Sequence, residues 1–351
     1  MQLVAHLLRL VLFARIAAVA CVLAATVAHG IPSADAQTLA AVKQRGALIC
    51  GVNEGLYGFA SVDDKGVWKG FDVDLCRAIA AAIFDDPGKV QYVPLNAGNR
   101  FEALQSGKID VLIRNSTWTL GREADFKFNF AGVNYYDGQG FLVSRKRKAT
   151  SAYELNDSKI CVTANTTSAL NVADFFATNN MKYELRTFEN GEQTRAGYVS
   201  GACNVLTSDV SQLYAERLKL PDADENIILP DIISKEPLGP VVRFGDDQWL
   251  LIVKWTHFAM INAEELGIGM KTVDAAMKSA KPAVKRFVGA EGDFGEKMGL
   301  TKDWAVRIVR HVGNYGEVFK RNLGVESKLG IPRGLNSLWS KGGIQYAPPI
   351  R

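Results

Sequence analysis

The 351-residue sequence predicts an α/β protein of two lobes, each carrying a mainly parallel sheet, joined by two extended crossings. Two internal echoes and one alternation predict it. Ser106-Gly107-Lys108-Ile109-Asp110-Val111-Leu112 is matched by Ser200-Gly201-Ala202-Cys203-Asn204-Val205-Leu206, and Ala47-Leu48-Ile49-Cys50 by Ser158-Lys159-Ile160-Cys161. Each longer copy reads as a helix closed by glycine and followed by a short apolar strand. Around both copies, strand-like and helical runs alternate, as they do in parallel sheets with right-handed crossovers. Eight residues past each glycine stands a polar group, Asn115 or Asp209. That is just beyond the carboxyl end of a strand, where open α/β sheets bind ligands.

Residues 1–36 differ from the rest. Arg9 and Arg15 flank or enter an apolar run that is uncharged from Ile16 to Ala28, and Ala34-Asp35-Ala36 offers a small-x-small cleavage pattern. A signal peptide over 1–36 and a mature chain from Gln37 are expected, which places the protein in the periplasm. The uncharged core is too short to span a bilayer comfortably, which disfavours a membrane anchor. Ala18-Val19-Ala20 before Cys21 is a poor match to a lipidation signal.

In the mature chain, residues 47–52 read as a strand, and Asp63-Asp64-Lys65-Gly66 as a hairpin-type turn. A helix follows, with Phe71, Leu75, Ile79 and Ile83 on one face, ended by Asp86-Pro87-Gly88. Strand 90–95, helix 101–105 and strand 109–113 complete the first unit. An extended run, 135–144, leads out of it. The second unit repeats the scheme: strand 159–163, helix 168–178, strand 183–188, helix 193–198 and strand 204–207. A helix from Val210 and a strand around Ile227 come next, and an extended run at 237–244 leads back. Lobe one is therefore expected over 37–143 and 244–351, and lobe two over 144–243. Beyond Asp246 the chain reads as mainly helical, but Gly342-Gly343-Ile344-Gln345-Tyr346-Ala347-Pro348-Pro349 cannot continue a helix.

Composition excludes several classes. Charged residues make up 22% and the net charge is +4, with the two signs interspersed, so nothing points to nucleic acid. The run Arg145-Lys146-Arg147-Lys148 reads as a solvated strand end. Without Cys21, four cysteines remain, an even count that suits disulfides in an exported chain. The lobes select Cys50–Cys76 and Cys161–Cys203 among the three pairings. Zinc is disfavoured, because there is no C-x-x-C and the mature chain has only His257 and His311. A Ser/His/Asp site finds no histidine outside amphipathic helical sequence. The carboxylate pairs Asp72/Asp74, Asp222/Asp224 and Asp246/Asp247 fall where turns and helix caps expect aspartate. No phosphate-cradling or nicotinamide fingerprint is present. No catalytic residue, metal or cofactor is expected.

The binding case starts from Asn115-Ser116-Thr117-Trp118-Thr119-Leu120-Gly121-Arg122. After a buried strand it offers hydroxyls, main-chain N–H groups and one guanidinium, which can grip a carboxylate with two parallel bonds. Asn165-Thr166-Thr167-Ser168 sits where a strand hands over to a helix, and such an N-terminus suits an anion; Thr166 or Thr167 equally fits simple N-capping. Asp209 can pair with an ammonium or cap the next helix. Asn53, Glu54, Tyr57 and Trp118 fall near the cleft by position. Together these groups describe a receptor for the backbone of a free amino acid, with Asn53, Asn115, Thr117, Arg122, Thr166, Thr167 and Asp209 as the ligand-binding set.

Three phrases, Gly70-Phe71-Asp72-Val73-Asp74-Leu75-Cys76, residues 104–112 and Thr117-Trp118-Thr119-Leu120-Gly121-Arg122, carry a family likeness. So do Ile233-Ser234-Lys235-Glu236-Pro237-Leu238-Gly239-Pro240, Gly245-Asp246-Asp247-Gln248-Trp249 and the tail at 342–349. Over nearly its whole length the mature chain resembles the periplasmic amino-acid-binding proteins of ABC transporters. It looks most like those of the general, broad-specificity L-amino-acid system. The resemblance implies a two-lobed periplasmic-binding-protein type II (venus-flytrap) fold. It implies that Arg122, Thr117 and Thr167 hold the ligand's α-carboxylate and Asp209 its α-ammonium. It also implies a monomer that delivers free L-amino acids, polar and acidic ones favoured, to an inner-membrane permease with its ATPase. Two rivals share the scaffold: an exported dehydratase or lyase, and a periplasmic amino-acid sensor. The chain departs from the wider family at Asn165 and at Tyr57-Gly58-Phe59.

Overall fold

The computed structural model describes residues 37–351; the expected signal peptide lies outside the described residues. Helix α1 (Gln37–Arg45) leads to β1 (Leu48–Asn53), and a hairpin of β2 (Ser61–Val62) and β3 (Trp68–Lys69) leads to α2 (Phe71–Phe84). Then come β4 (Val90–Leu95), α3 (Arg100–Gln105), β5 (Val111–Leu112), α4 (Leu120–Phe126) and β6 (Phe128–Phe130). Strand β7 (Tyr135–Asp137) crosses to β8 (Gln139–Ser144). The second unit runs β9 (Ser158–Thr163), α5 (Thr167–Thr178), β10 (Tyr183–Phe188), α6 (Gly191–Val199), β11 (Val205–Asp209), α7 (Val210–Arg217) and β12 (Asn226–Ile228). Strand β13 (Glu236–Leu238) returns to β14 (Val241–Arg243), and α8 (Asp247–Glu265) opens the helical remainder.

Two five-stranded sheets result, in the orders β4-β1-β5-β14-β6 and β10-β9-β11-β8-β12. In each, the first three strands are parallel and the fourth opposes its neighbours. The opposing strand, β14 or β8, is the one that has just arrived from the other lobe. The crossings β7 and β13 pair antiparallel with each other, Glu236 opposite Asp137.

The sequence echo has a physical content. Asp110 N–H donates to Ile49 O at 2.9 Å while its carboxylate accepts from Ile49 N–H at 2.7 Å. Asn204 repeats both bonds with Lys159, at 2.9 and 3.1 Å. Gly107 and Gly201, at φ 76° and 78°, make the left-handed turn between helix and strand that a side chain would strain. Each pair locks the start of the third strand against the first, so the two lobes offer matching carboxyl edges. Both expected disulfides form within a lobe: Cys50–Cys76 ties β1 to α2, and Cys161–Cys203 ties β9 to the turn before β11.

The lobe limits differ from the expectation. The run 135–144 is two strands broken at Gly138, where a Cβ would meet Ile232 Cγ2 at 2.3 Å, and β8 already belongs to the second sheet. On the return, Gly239-Pro240 separates β13 from β14, which is back in the first sheet. The chain thus changes sheets at 138 and 239, a few residues before the expected 143 and 243.

The helical remainder packs on the first lobe. Helix α8 buries Trp249, Ile252, Val253, His257 and Met260, and Trp249 Nε1–H donates to Asp110 O at 2.9 Å. The non-helical tail is held in turn: Gln345 is buried and its amide donates to Tyr315 Oη at 3.1 Å, while Asn262 Nδ2–H donates to Pro348 O at 2.9 Å. Among the described residues no helix is long and apolar enough to cross a membrane.

Candidate functional site

The carboxyl ends of β1, β4 and β5 face those of β9 and β11 across a cavity of about 320 Å³. Both lobes line it. From the first come Asn53, Glu54, Arg100, Arg114, Asn115, Thr117 and Arg122. From the second come Thr163, Thr166, Thr167, Ser168, Ser208 and Asp209. The lobes also touch directly: Lys219 Nζ donates to Gly55 O at 2.8 Å, and Thr117 Oγ1 lies 3.5 Å from Thr167 Oγ1.

All seven expected ligand-binding residues therefore line one cavity, each with its own local cause. The loop after β5 is pinned to the return crossing, with Trp118 N–H donating to Pro237 O at 2.7 Å and Gly239 N–H to Ser116 O at 3.0 Å. Asn115 sits at φ 33°, its N–H given to Asp72 Oδ2 at 3.0 Å and its Oδ1 accepting from Asn53 Nδ2 at 3.0 Å. Arg122 folds back so that Nη1–H donates to Thr117 O at 2.7 Å, and its guanidinium lies over the Phe101 ring. The alternative capping roles are not taken. Thr166 donates to Thr163 O at 2.7 Å and gives α5 no side-chain cap. Asp209 precedes α7 without capping it, and its buried carboxylate has no hydrogen bond from any described residue.

Glu236, on β13, organises the centre. Its Oε2 accepts from Thr117 Oγ1 and from Thr167 Oγ1, the latter at 2.9 Å. Its Oε1 accepts from Asn171 Nδ2 at 2.6 Å and Ser234 Oγ at 2.8 Å. A hydroxyl has one proton to donate, so the hydroxyl protons of Thr117 and Thr167 are committed to the protein. Their main-chain N–H groups, which have no acceptor among the described residues, remain for a ligand.

Charge in the cleft is strongly perturbed by burial. Asp209 is held well above the usual carboxylate range, by burial first and then by Asp137 and Glu236; Arg122 and Arg100 act the other way. Burial pushes Asp137 up to about 6 and Asp72 up to about 7. It also pushes the Arg122 guanidinium down, against the pull of Glu236 and Asp209. Burial dominates at Arg114 too, lowered to about 10, with Glu54 and Asp72 opposing.

Some expectations need correction. Tyr57 and Trp118 do not line the cavity: Tyr57 packs on the first core, and Trp118 turns outward to stack on Phe130, with ring centroids 5.6 Å apart. Thr117 takes the inward position, so its neighbour must point away. Asp72 and Asp74 are more than helix-start aspartates. Asp72 fixes the Asn115 loop, and Asp74 ties α2 to Arg321 and Asn322 at 2.7 and 2.6 Å. Sequence reasoning missed Arg100, Arg114 and Glu236. Arg114 directly precedes Asn115, and Arg100 follows the end of β4, so the strand-edge rule reaches both. His257 is a buried packing residue bonded to Val133 O at 3.1 Å, its pKa lowered to about 4 by burial; His311 faces Asp85 at the surface. Among the described residues, no cluster of three or more His, Cys, Asp or Glu is arranged to hold a metal.

Comparison with known proteins gives a consistent result. Residues 48–293 match the model of the bacterial extracellular solute-binding proteins, family 3. The general L-amino acid-binding periplasmic protein AapJ of Rhizobium johnstonii is 56% identical over 330 residues, covering 93% of this chain and 97% of that protein. The glutamate/glutamine/aspartate/asparagine-binding protein BztA of Rhodobacter capsulatus is 49% identical over 320 residues, 91% of this chain and 95% of its own. Among solved structures, a periplasmic binding protein of an ABC transporter from Brucella ovis, with glutathione bound, superimposes with a TM-score of 0.89. It shares 54% sequence identity and covers 90% of this chain and 100% of that one.

Proposed function

Because the chain belongs to family 3 of the bacterial extracellular solute-binding proteins, we propose that it is a periplasmic receptor for free L-amino acids serving an ABC transporter. The ligand sits between the lobes, is released unchanged, and passes to an inner-membrane permease driven by its ATPase. The bodies that close on it are bounded at the changes of sheet, 37–137 with 239–351 against 138–238. Arg122 takes the α-carboxylate, helped by the N–H groups of Thr117 and Thr167. Asp209 takes the α-ammonium. Asn53, Asn115 and Thr166 shape the wall around them.

One observation carries this reading. A half-buried guanidinium from one lobe and, from the other, a buried carboxylate that accepts no hydrogen bond from any described residue line the same cavity. An amino acid's two backbone charges are complementary to that pair, and each of the two side-chain charges gains a partner on binding. The test is calorimetry of the purified mature chain against the twenty L-amino acids, with the ligand recovered and identified afterwards. Saturable binding of several of them, recovered intact, is expected; conversion to a product, or binding of none, overturns the reading.

A relative supports a second, compatible ligand class. About 320 Å³ is at the lower end of the roughly 300–1,000 Å³ that drug-sized ligands occupy. Since the Brucella ovis relative is described with glutathione bound, a γ-glutamyl tripeptide, which carries the same α-amino acid head, belongs in the panel.

A further inference from the structure

Helix α7 begins directly after Asp209, the position whose side chain ordinarily accepts the N–H of a helix's second or third residue. Asp209 makes no such cap. The outward crossing answers the helix instead. Val210 N–H donates to Gly138 O at 2.8 Å, and Ser211 N–H lies between the two carboxylate oxygens of Asp137, at 3.4 and 3.3 Å. Ser211 is the second residue of α7, so Asp137 accepts an N–H that Asp209 would otherwise take. Asp209 lines the ligand cavity, whereas Asp137 does not.

The backbone holds this exchange in place. Asp137 ends β7, and Gln139 starts β8 opposite Asp209 in the antiparallel β8–β11 pair. Gly138 between them is where the chain changes sheets. Asp137 is itself fixed, its Oδ1 accepting from Gly138 N–H at 2.9 Å. A helix N-terminus attracts a carboxylate through its free N–H groups and the positive end of its dipole. An N-terminus already met by Asp137 competes less for Asp209.

We propose that Asp137 is a positioning residue for amino-acid binding: it caps α7 from the outward crossing and so leaves the Asp209 carboxylate free to face the ligand's ammonium. This inference rests on the receptor reading and deepens it. Charge gives it a signature that mere support of the fold lacks. Asp137 and Glu236, one from each crossing, raise the Asp209 carboxyl, while Arg122 and Arg100 of the first lobe oppose them. Arg114 and Tyr135 also feel the Asp209 charge. Removing the Asp137 charge while keeping an oxygen for the cap should let Asp209 ionise at lower pH.

The experiment measures affinities for L-alanine and L-glutamine, by calorimetry and, where binding is weak, by NMR titration. It compares the mature chain with Asp137→Ala, Asp137→Asn, Asp209→Ala and the combination of Asp137→Ala with Asp209→Ala, with melting temperatures recorded alongside. Asp137→Ala should lose on the order of ten- to thirtyfold for both amino acids, and less than about threefold when made on top of Asp209→Ala. Additive losses would mean that Asp137 supports the lobe and does not act through Asp209, which overturns the proposal. Asp137→Asn keeps an oxygen for Ser211 N–H and should bind within about threefold of wild type. It should also release fewer protons on binding, and its affinity should fall at a lower pH than in wild type. A loss as large as that of Asp137→Ala, or an unchanged pH profile, overturns the proposal. If Asp137→Ala melts too low to assay, Asp137→Asn decides alone. A wild-type chain that binds no amino acid, or Asp209→Ala with wild-type affinity, overturns the receptor reading and this inference with it.

Discussion

At the residue scale, Arg122 and Asp209 stand in one cavity as opposite charges that burial makes expensive. Removing one partner of a desolvated pair costs about 2–5 kcal/mol, because the ligand's own charge is left buried and unmatched. Arg122→Ala and Asp209→Ala should therefore each weaken amino-acid binding by roughly thirtyfold to several thousandfold, with the melting temperature little changed. Arg122→Lys is the sharper variant: wild-type affinity there would rule out a bidentate grip. Proton linkage gives an independent check. The Asp209 carboxyl is raised in the free protein, whereas an ammonium binds only its ionised form. Binding near or below the raised value should then release protons, and affinity should fall as the pH drops through it. Calorimetry in buffers of different ionisation enthalpy reads this directly, and buffer-independent heats would count against Asp209 as the ammonium partner. These residues were legible because they follow the echoed strands. Glu236 was not, since a single glutamate in an extended crossing has no local pattern that tells a buried acceptor of four hydrogen bonds from a solvated side chain.

At the scale of elements, the disulfides hold the edges on which the site is built. Cys161–Cys203 closes a separation of 42 residues and fixes β9 beside the turn that starts β11, the strand ending in Asp209. Cys50–Cys76 closes 26 residues and fixes α2, which carries Asp72, to β1. The chain-entropy model assigns about 4 and about 3.5 kcal/mol to these closures. Cys161→Ala with Cys203→Ala should lower stability by about that much while the first lobe keeps its fold; denaturant unfolding of the paired variant measures it, and unchanged stability would contradict the model. Both pairings were legible because the echo had already assigned each cysteine to a lobe. Helix α4 was not, although it carries Arg122: none of its residues is buried, so it shows no apolar stripe at helical spacing. The three-residue β6 was too short for its alternation to register.

For the whole molecule, binding must be coupled to closure, and Glu236 stands where the two meet. It lies on the return crossing, paired opposite Asp137 of the outward one, and is 1% exposed. Its carboxylate takes the hydroxyl of Thr117 from the first lobe together with Thr167 and Asn171 from the second. These bonds span the cleft behind the ligand cavity. They also aim the Thr117 and Thr167 main chain without touching a ligand side chain. Glu236→Ala removes the acceptor and leaves three hydroxyls and an amide unsatisfied, at about 1–3 kcal/mol for each group that stays buried. That cost falls on the closed state, where donors of both lobes converge, and much less on an open one, where water reaches them. The variant should therefore lose affinity by a similar factor for every amino acid. Small-angle X-ray scattering should show a smaller ligand-induced contraction than in wild type. Closure to the wild-type radius of gyration with wild-type affinity would mean that the lobes are coupled through the crossings alone, and that the Glu236 carboxylate only fills their seam.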